Sequence, residues 1–316
     1  MDIPWLNNVV QAAESSRAQG RSAHALMISG AVGTGKRSAA AWLARQHLGI
    51  GSGELLPQFP LSVPEHADLR WVTTPEDKYT IGIEQIRSLV AHLSLTSYAG
   101  GGKVAVIEPA EAMTHNAANS LLKTLEEPSG DSLLILVADR LGRLPATIFS
   151  RCQRLNVHVP KEQAGMEWLQ SLHPGTSWGT VLKDSGNAPL AALSAYERLD
   201  ETAAMASDFA AVAEGQAKPL QVAAKWAKHE PDFVLSWISR QIQTCIFRVT
   251  GCAPTGVSAV VGDSVLGRID RRNLFCYLDI INRLRGRPAG SFNVQLTLEC
   301  LLIDWAGSLK SVTDTG

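Results

Sequence analysis

Between Lys103 and Cys152 lie two short, wholly apolar runs, Val104–Ile107 and Leu133–Ala138, separated by a segment with helical periodicity. A run with no polar alternation offers no face to water, so a strand built from it must be covered on both sides, as parallel strands of α/β folds are. In the segment between, Ala118, Leu121, Leu122 and Leu125 recur at i, i+3, i+4 and i+7 and form one core-facing stripe, while Asn119, Lys123 and Glu126 face elsewhere. Pro128 ends this helix, because the residue before a proline is driven out of the helical region. Strand, helix, strand in this order predicts a parallel α/β unit, after which Pro145–Ser150 leads into Ser150-Arg151-Cys152 at a helix end.

The same grammar runs upstream. Leu6, Val9, Val10 and Ala13 share one helical face, and Gly20 is placed to close that helix. His24–Ser29 reads as a buried strand running into the loop GAVGTGK, Gly30 to Lys36, and Ser38–Leu48 is helical. Strand, glycine loop and helix form the context of a phosphate-binding loop. Gly30, Gly33 and Gly35 let backbone N–H groups converge on a phosphate, Lys36 adds a point charge, and the helix N-terminus adds partial positive charge. The next position breaks the rule: Arg37 stands where a serine or threonine hydroxyl would bind Mg²⁺. The loop therefore leaves three readings open: a shape that has lost its nucleotide, a nucleotide held without turnover, or a working ATPase site. Leu55–Val63 is proline-punctuated loop, and Leu69–Thr73 is a strand. Ile83–Leu95 is a helix with Ile83, Ile86, Val90 and Leu93 on its buried face, and Gly100-Gly101-Gly102 turns the chain into Val104.

Beyond Pro160 only helices are expected. A small set runs from Met166–Leu172 through Ser185–Pro189 to about Leu199; amphipathic helices follow at Met205–Val212, Leu220–Lys228, Phe233–Val249, Arg271–Arg285 and Val294–Leu309. Trp226, Trp237 and Trp305 there suit a monomer core and an interface equally. A formal net charge of −1 gives no overall attraction to nucleic acid, so a DNA contact needs a local patch; Arg21, Lys36 and the helix N-termini are the geometric candidates. Five cysteines, never spaced C-x-x-C, predict neither a disulfide framework nor a zinc site. No apolar run reaches the roughly 18 to 20 residues that span a bilayer and no signal-like start is present, so a cytoplasmic, membrane-free protein is expected.

Four blocks carry a family resemblance in order: HALMISGAVGTGK at His24–Lys36, IGIEQIR at Ile81–Arg87, AANSLLKTLEEP at Ala117–Pro128 and ATIFSRC at Ala146–Cys152. Together they resemble the AAA+ clamp-loader subunits of bacterial replicases. The resemblance implies three domains: an AAA+ P-loop-type parallel-sheet domain at 1–159, a small helical lid at 160–200 and a helical collar at 201–316. NVQLTLECLLIDW, Asn293–Trp305, resembles the last collar helix. Many relatives carry a cysteine zinc module after the first P-loop helix; Ile50–Glu65 has no cysteine, so no metal is carried over.

The resemblance also assigns roles to residues. Active members hold the metal with an aspartate at the end of the strand that contains Val104, and orient water with the next glutamate. Here the positions hold Glu108 and Pro109, while Glu111 reads as a structural carboxylate. The γ-phosphate-sensing threonine falls on Ala138 or Asp139, and the sensing arginine on Pro189. These replacements imply that the nucleotide-binding set, Gly30, Gly33, Gly35, Lys36, Arg37 and Glu108, is degenerate and catalyses no hydrolysis.

Arg151 alone would read as a surface arginine capping a helix. In this family the arginine of Ser150-Arg151-Cys152 is aimed instead at the nucleotide of the adjacent subunit, and a planar, permanently charged guanidinium suits that task. Cys152 lacks a paired base and is read as a small packed residue. The resemblance thus implies a non-hydrolysing stator subunit of a DNA-directed DNA polymerase (nucleotidyltransferase) holoenzyme. Its partners would be gamma/tau and delta subunits, and indirectly the sliding clamp and primer-template DNA. An active gamma-type ATPase and a stand-alone P-loop protein are the alternatives.

Overall fold

The computed structural model describes residues 1–19, 23–50, 55–75, 78, 80–98, 100–139, 141–252, 260–285 and 292–310. The chain divides into two compact units, Met1–Glu197 and Arg198–Gly316.

The first unit is built on five parallel strands: β1 (Ala25–Gly30), β2 (Leu69–Val72), β3 (Lys103–Ile107), β4 (Ser132–Ala138) and β5 (Gln153–Val157), in the spatial order β2-β3-β4-β1-β5. The apolar runs of β3 and β4 are buried throughout. Alternation explains how a run without polar residues is used. Leu133, Ile135 and Val137 enter one core, with α1 (Asn7–Ala18) and α2 (Lys36–Leu48); Leu134, Leu136 and Ala138 enter the other, with α3 (Ile83–Leu93), α4 (His115–Glu126) and the short α5 (Ala146–Phe149). Truncating a buried leucine of either layer costs about 2–5 kcal/mol, so both faces of the sheet contribute to its stability.

Several expectations are met in detail. In α4, Ala118, Leu121 and Leu125 are buried and Leu122 packs partly against them. The helix stops at Glu126, leaving Glu127 at φ −127 and ψ 77, outside the helical region, in front of Pro128. Thr114 caps its start by accepting from the Ala117 N–H at 3.2 Å. Two details differ. α2 begins at Lys36, not Ser38, so the lysine sits on the first helical turn. The buried face of α3 is Ile86, Leu89, His92 and Leu93, because Leu89 lies at the centre of the stripe and turns Ile83 and Val90 toward its edges. Gly20 lies outside the described residues.

Three helices complete this unit: α6 (Glu162–Leu172), α7 (Trp178–Asp184) and α8 (Pro189–Glu197). Their own small core contains Trp168, Leu169, Trp178, Leu182 and Leu193. Trp168 ties it to the rest of the unit, donating Nε1–H to the Asp2 carbonyl at 2.8 Å and meeting Trp5 and Phe59 edge-on at 5.3 and 5.4 Å.

The second unit is helical: α9 (Leu199–Ala213), α10 (Pro219–Trp226), α11 (Pro231–Thr250), α12 (Asp263–Leu266), α13 (Arg271–Arg285) and α14 (Val294–Ala306). α12 lies between the helices expected at Phe233–Val249 and Arg271–Arg285, where none was expected, and α14 ends at Ala306, three residues before Leu309, with Ser308 and Leu309 at positive φ. Its tryptophans are core residues. Trp226 and Trp305 are fully buried, Phe209 stacks on Trp305 at 4.3 Å, and Trp237 meets Trp226 edge-on at 5.6 Å. Two buried polar tips have partners: Trp305 Nε1 donates to the Phe209 carbonyl at 3.1 Å, and Tyr277 Oη to the Leu301 carbonyl at 2.6 Å. No described helix is long and apolar enough to cross a membrane.

Candidate functional site

The glycine loop leaves β1 at Gly30, where φ is +151 and a Cβ would lie 2.2 Å from the Val157 carbonyl oxygen of neighbouring β5. At Gly33, φ is +77 and a Cβ would strike Ala191 at the start of α8, 2.3 Å from its backbone nitrogen. Only glycine fits either place. The loop is held from outside itself as well. Trp5 donates Nε1–H to the Thr34 carbonyl at 2.8 Å, and the Leu190 N–H donates to the Gly33 carbonyl at 3.1 Å. Thus Pro189, the position of the missing arginine, opens a helix that touches the loop through its backbone.

Beside the loop is a cavity of about 330 Å³, at the small end of ligand sites. Lys36, Arg37, Glu108, Pro109, Asp139 and Leu193 are among the residues lining it. The cations there are already paired. Lys36, 5% exposed, places Nζ 2.6 Å from Asp139 Oδ1 and donates to the Gly30 carbonyl at 2.9 Å and to the Ala31 carbonyl. Arg37 places Nε 2.7 Å from Glu108 Oε1, and Trp71 Nε1 donates to the other oxygen of that carboxylate at 3.1 Å. Burial pushes the Glu108 carboxyl up from its ordinary value, opposed by the Arg37 charge and the Trp71 hydrogen bond.

The register explains the Lys36 pair. β1 and β4 are neighbours with Ser29 opposite Ala138, so Asp139, one residue past β4, arrives beside the end of β1. Glu111 accepts from the Asp139 N–H at 3.0 and 3.3 Å, a structural role that holds the backbone just past β4. As a DNA contact, the sequence expectation for Lys36 fails: the ammonium is buried and its donors are taken by the loop and Asp139. Arg21 lies outside the described residues.

Does this site fit a magnesium-bound nucleoside triphosphate, which a loop of this shape suggests? The backbone does, but the side chains do not. The metal-binding hydroxyl is an arginine, the carboxylate that would face the metal is paired to that arginine, and the phosphate-binding lysine already has an anion.

Arg151 occupies a different place, just past α5. Ser150 is the C-cap, and Arg151 Nη1 donates to the Thr147 carbonyl at 3.1 Å and to Ser150 Oγ at 3.2 Å. Its Nη2 lies 2.5 Å from Glu126 Oε1, at the end of α4; the arginine side chain is 34% exposed. Glu126 was assigned only to the outer face of its helix, and its pairing with Arg151 was not foreseen; two opposite charges at successive helix ends were the available signal. Cys152 packs partly against the core, and burial pushes its thiol up to about 11, the opposite of an activated nucleophile.

A five-stranded parallel sheet in this order, a glycine loop after β1, three helices closing the first unit and a helical C-terminal unit make up an AAA+ P-loop-type fold. Residues 5–161 match the family model described as DNA polymerase III, delta subunit. In particular, the chain resembles DNA polymerase III subunit delta-prime: it is 38% identical to that of Pseudomonas aeruginosa over 200 residues, 60% of each chain, and 32% identical to that of Haemophilus influenzae over 173 residues, 53% of each. The matched part spans 53–60% of the length of these relatives. Among solved structures, a DNA polymerase III gamma subunit-related protein from Thermotoga maritima shares the fold, with a TM-score of 0.52 and 21% identity over 94% of this chain and 99% of that one.

Proposed function

We propose that this chain is the non-hydrolysing delta-prime, or stator, subunit of a cytoplasmic DNA polymerase III clamp loader. The observation that carries the proposal is the contrast between its two cationic sites. Lys36 and Arg37 are paired with Asp139 and Glu108 within their own cleft, whereas Arg151, paired with Glu126, lies outside it at a helix end. A subunit of this kind contributes no turnover of its own. It presents Arg151 in trans to the ATP site of a neighbouring gamma or tau subunit, where a guanidinium meets the charge that develops on transferring phosphate; such fingers are worth roughly 10³ to 10⁵ in rate. The delta subunit, the sliding clamp and primer-template DNA complete the assembly's task. The tying of Trp168 to Asp2, Trp5 and Phe59, and of Leu190 to Gly33, suits a subunit whose small helical set stays fixed to its sheet.

The test is assembly and turnover. The purified chain is expected to elute with gamma and delta subunits as one stoichiometric complex and, alone, to hydrolyse no ATP. Magnesium-dependent hydrolysis by the isolated chain would establish the gamma-type reading instead, and failure to enter the complex would overturn the assignment.

A further inference from the structure

The misfit between a well-formed phosphate loop and its pre-paired charges has a specific source. We propose that Asp139 is a built-in counter-ion that excludes phosphate from Lys36, and that the cleft is a latent, metal-independent site for the diphosphate of a nucleoside diphosphate. Three observations carry this. The backbone of the loop keeps the shape a phosphate requires, with positive φ at Gly30, Gly33 and Gly35 and α2 starting at Lys36. The ammonium that should meet the phosphate is buried and ion-paired at 2.6 Å to Asp139, whose side chain is 36% exposed at the cleft. The backbone of the residue that supplies this carboxylate is held, through its N–H, by Glu111.

An incoming phosphate would therefore have to displace an anion already tethered in place, and the displaced Asp139 would remain beside it as a like charge. The second pair, Arg37 with Glu108, cancels in the same way, and Glu197 on the wall leaves the lining with three carboxylates against two cations, a field that repels an anion. Removing the charge of Asp139 takes away the competing anion and brings the lining from net negative to neutral. Because Arg37 replaces the metal-binding hydroxyl and occupies Glu108, the phosphates would be held by Lys36 and loop N–H groups without magnesium. Val32, Phe59, Leu61 and Leu193 supply apolar wall for the base. This inference is independent of the role given to Arg151.

The experiment is a titration of the full chain with fluorescent ADP, in EDTA and in magnesium, for the native protein, Asp139→Asn and Asp139→Thr, each checked for native circular dichroism. Asparagine keeps the size and loses the charge, while threonine also shortens the side chain, so a folding defect in one leaves the other to decide. The native chain is expected to bind weakly, and both variants at least about tenfold more tightly, equally in EDTA and magnesium. Adding Lys36→Met to either variant should abolish the gain. The proposal is overturned if the native chain already binds as tightly as the variants, if neither variant gains affinity, or if the gain persists without Lys36.

Discussion

Replacing Lys103 by methionine should destabilise the sheet-containing unit more than almost any other single change to a charged residue. Asp68 is fully buried, and its carboxylate accepts from Lys103 Nζ at 2.8 Å, the Tyr98 N–H at 2.9 Å and Ser97 Oγ at 3.0 Å. Lys103 is itself only 5% exposed. Methionine fills the volume of the lysine stem but leaves a buried carboxylate without its counter-charge, and breaking such a pair costs about 3–5 kcal/mol. The donors that remain, Tyr98 and Ser97 among them, put the expected loss near the lower end, at about 3 kcal/mol, a large share of the roughly 5–15 kcal/mol that holds a domain together. With a slope of roughly 2 kcal/mol per molar urea, the midpoint falls by about 1.5 M. Urea-dependent hydrogen exchange of peptides covering β2 and β3 reads this unit separately from the helical one. Adding Asp68→Leu to Lys103→Met removes the stranded charge and should recover much of the loss. A midpoint shift under about 0.3 M, well below what a broken buried pair costs, or a double variant no better than the single one, would refute the reasoning.

The same region sets a pH dependence. Burial, then the Lys103 charge, lowers the pKa of His92, and its Nε2 is buried without a hydrogen-bond partner. The unfolded chain therefore takes up a proton that the folded chain refuses, so this contribution is fully present above about pH 6.5 and is lost as pH falls below it. His92→Gln should flatten the fall in unfolding free energy between pH 7 and pH 5; unchanged slopes in urea melts across that range would count against it. Glu126→Gln should weaken the hold on Arg151 while changing chain stability by no more than about 0.5 kcal/mol, since the pair is exposed. In an assembled loader it is expected to lower the maximum ATP turnover roughly tenfold by misplacing the guanidinium, with KM unchanged. A shift in KM alone would show that Glu126 does not position Arg151.

Local patterns in the chain carried most of the architecture. The unbroken apolar runs of β3 and β4 can be buried only between two layers, and Pro128 can only end a helix, so both were legible without the fold. The outlines of the phosphate loop and of Ser150-Arg151-Cys152 were equally plain. What was not legible was the set of charge partners. Lys36 and Asp139 are 103 positions apart and meet because β1 lies beside β4, an adjacency that no periodicity encodes. Lys103 opens an apolar strand, and its burial depends on Asp68 at the mouth of β2, a partner that no local pattern marks. α3 shows the same limit in small: Ile83, Ile86, Val90 and Leu93 fit one stripe, yet packing centres on Leu89.

The central claim, that this chain acts through Arg151 on a neighbour's nucleotide, is tested most directly by DNA- and clamp-stimulated ATPase of a reconstituted gamma, delta and delta-prime assembly, comparing the native chain with Arg151→Ala. The account expects assembly to be intact by size and turnover to fall by roughly 10³-fold or more if every rate-limiting site depends on this arginine, and by that site's share if it serves one of several. Intact assembly with undiminished turnover would contradict it and leave the chain a scaffold.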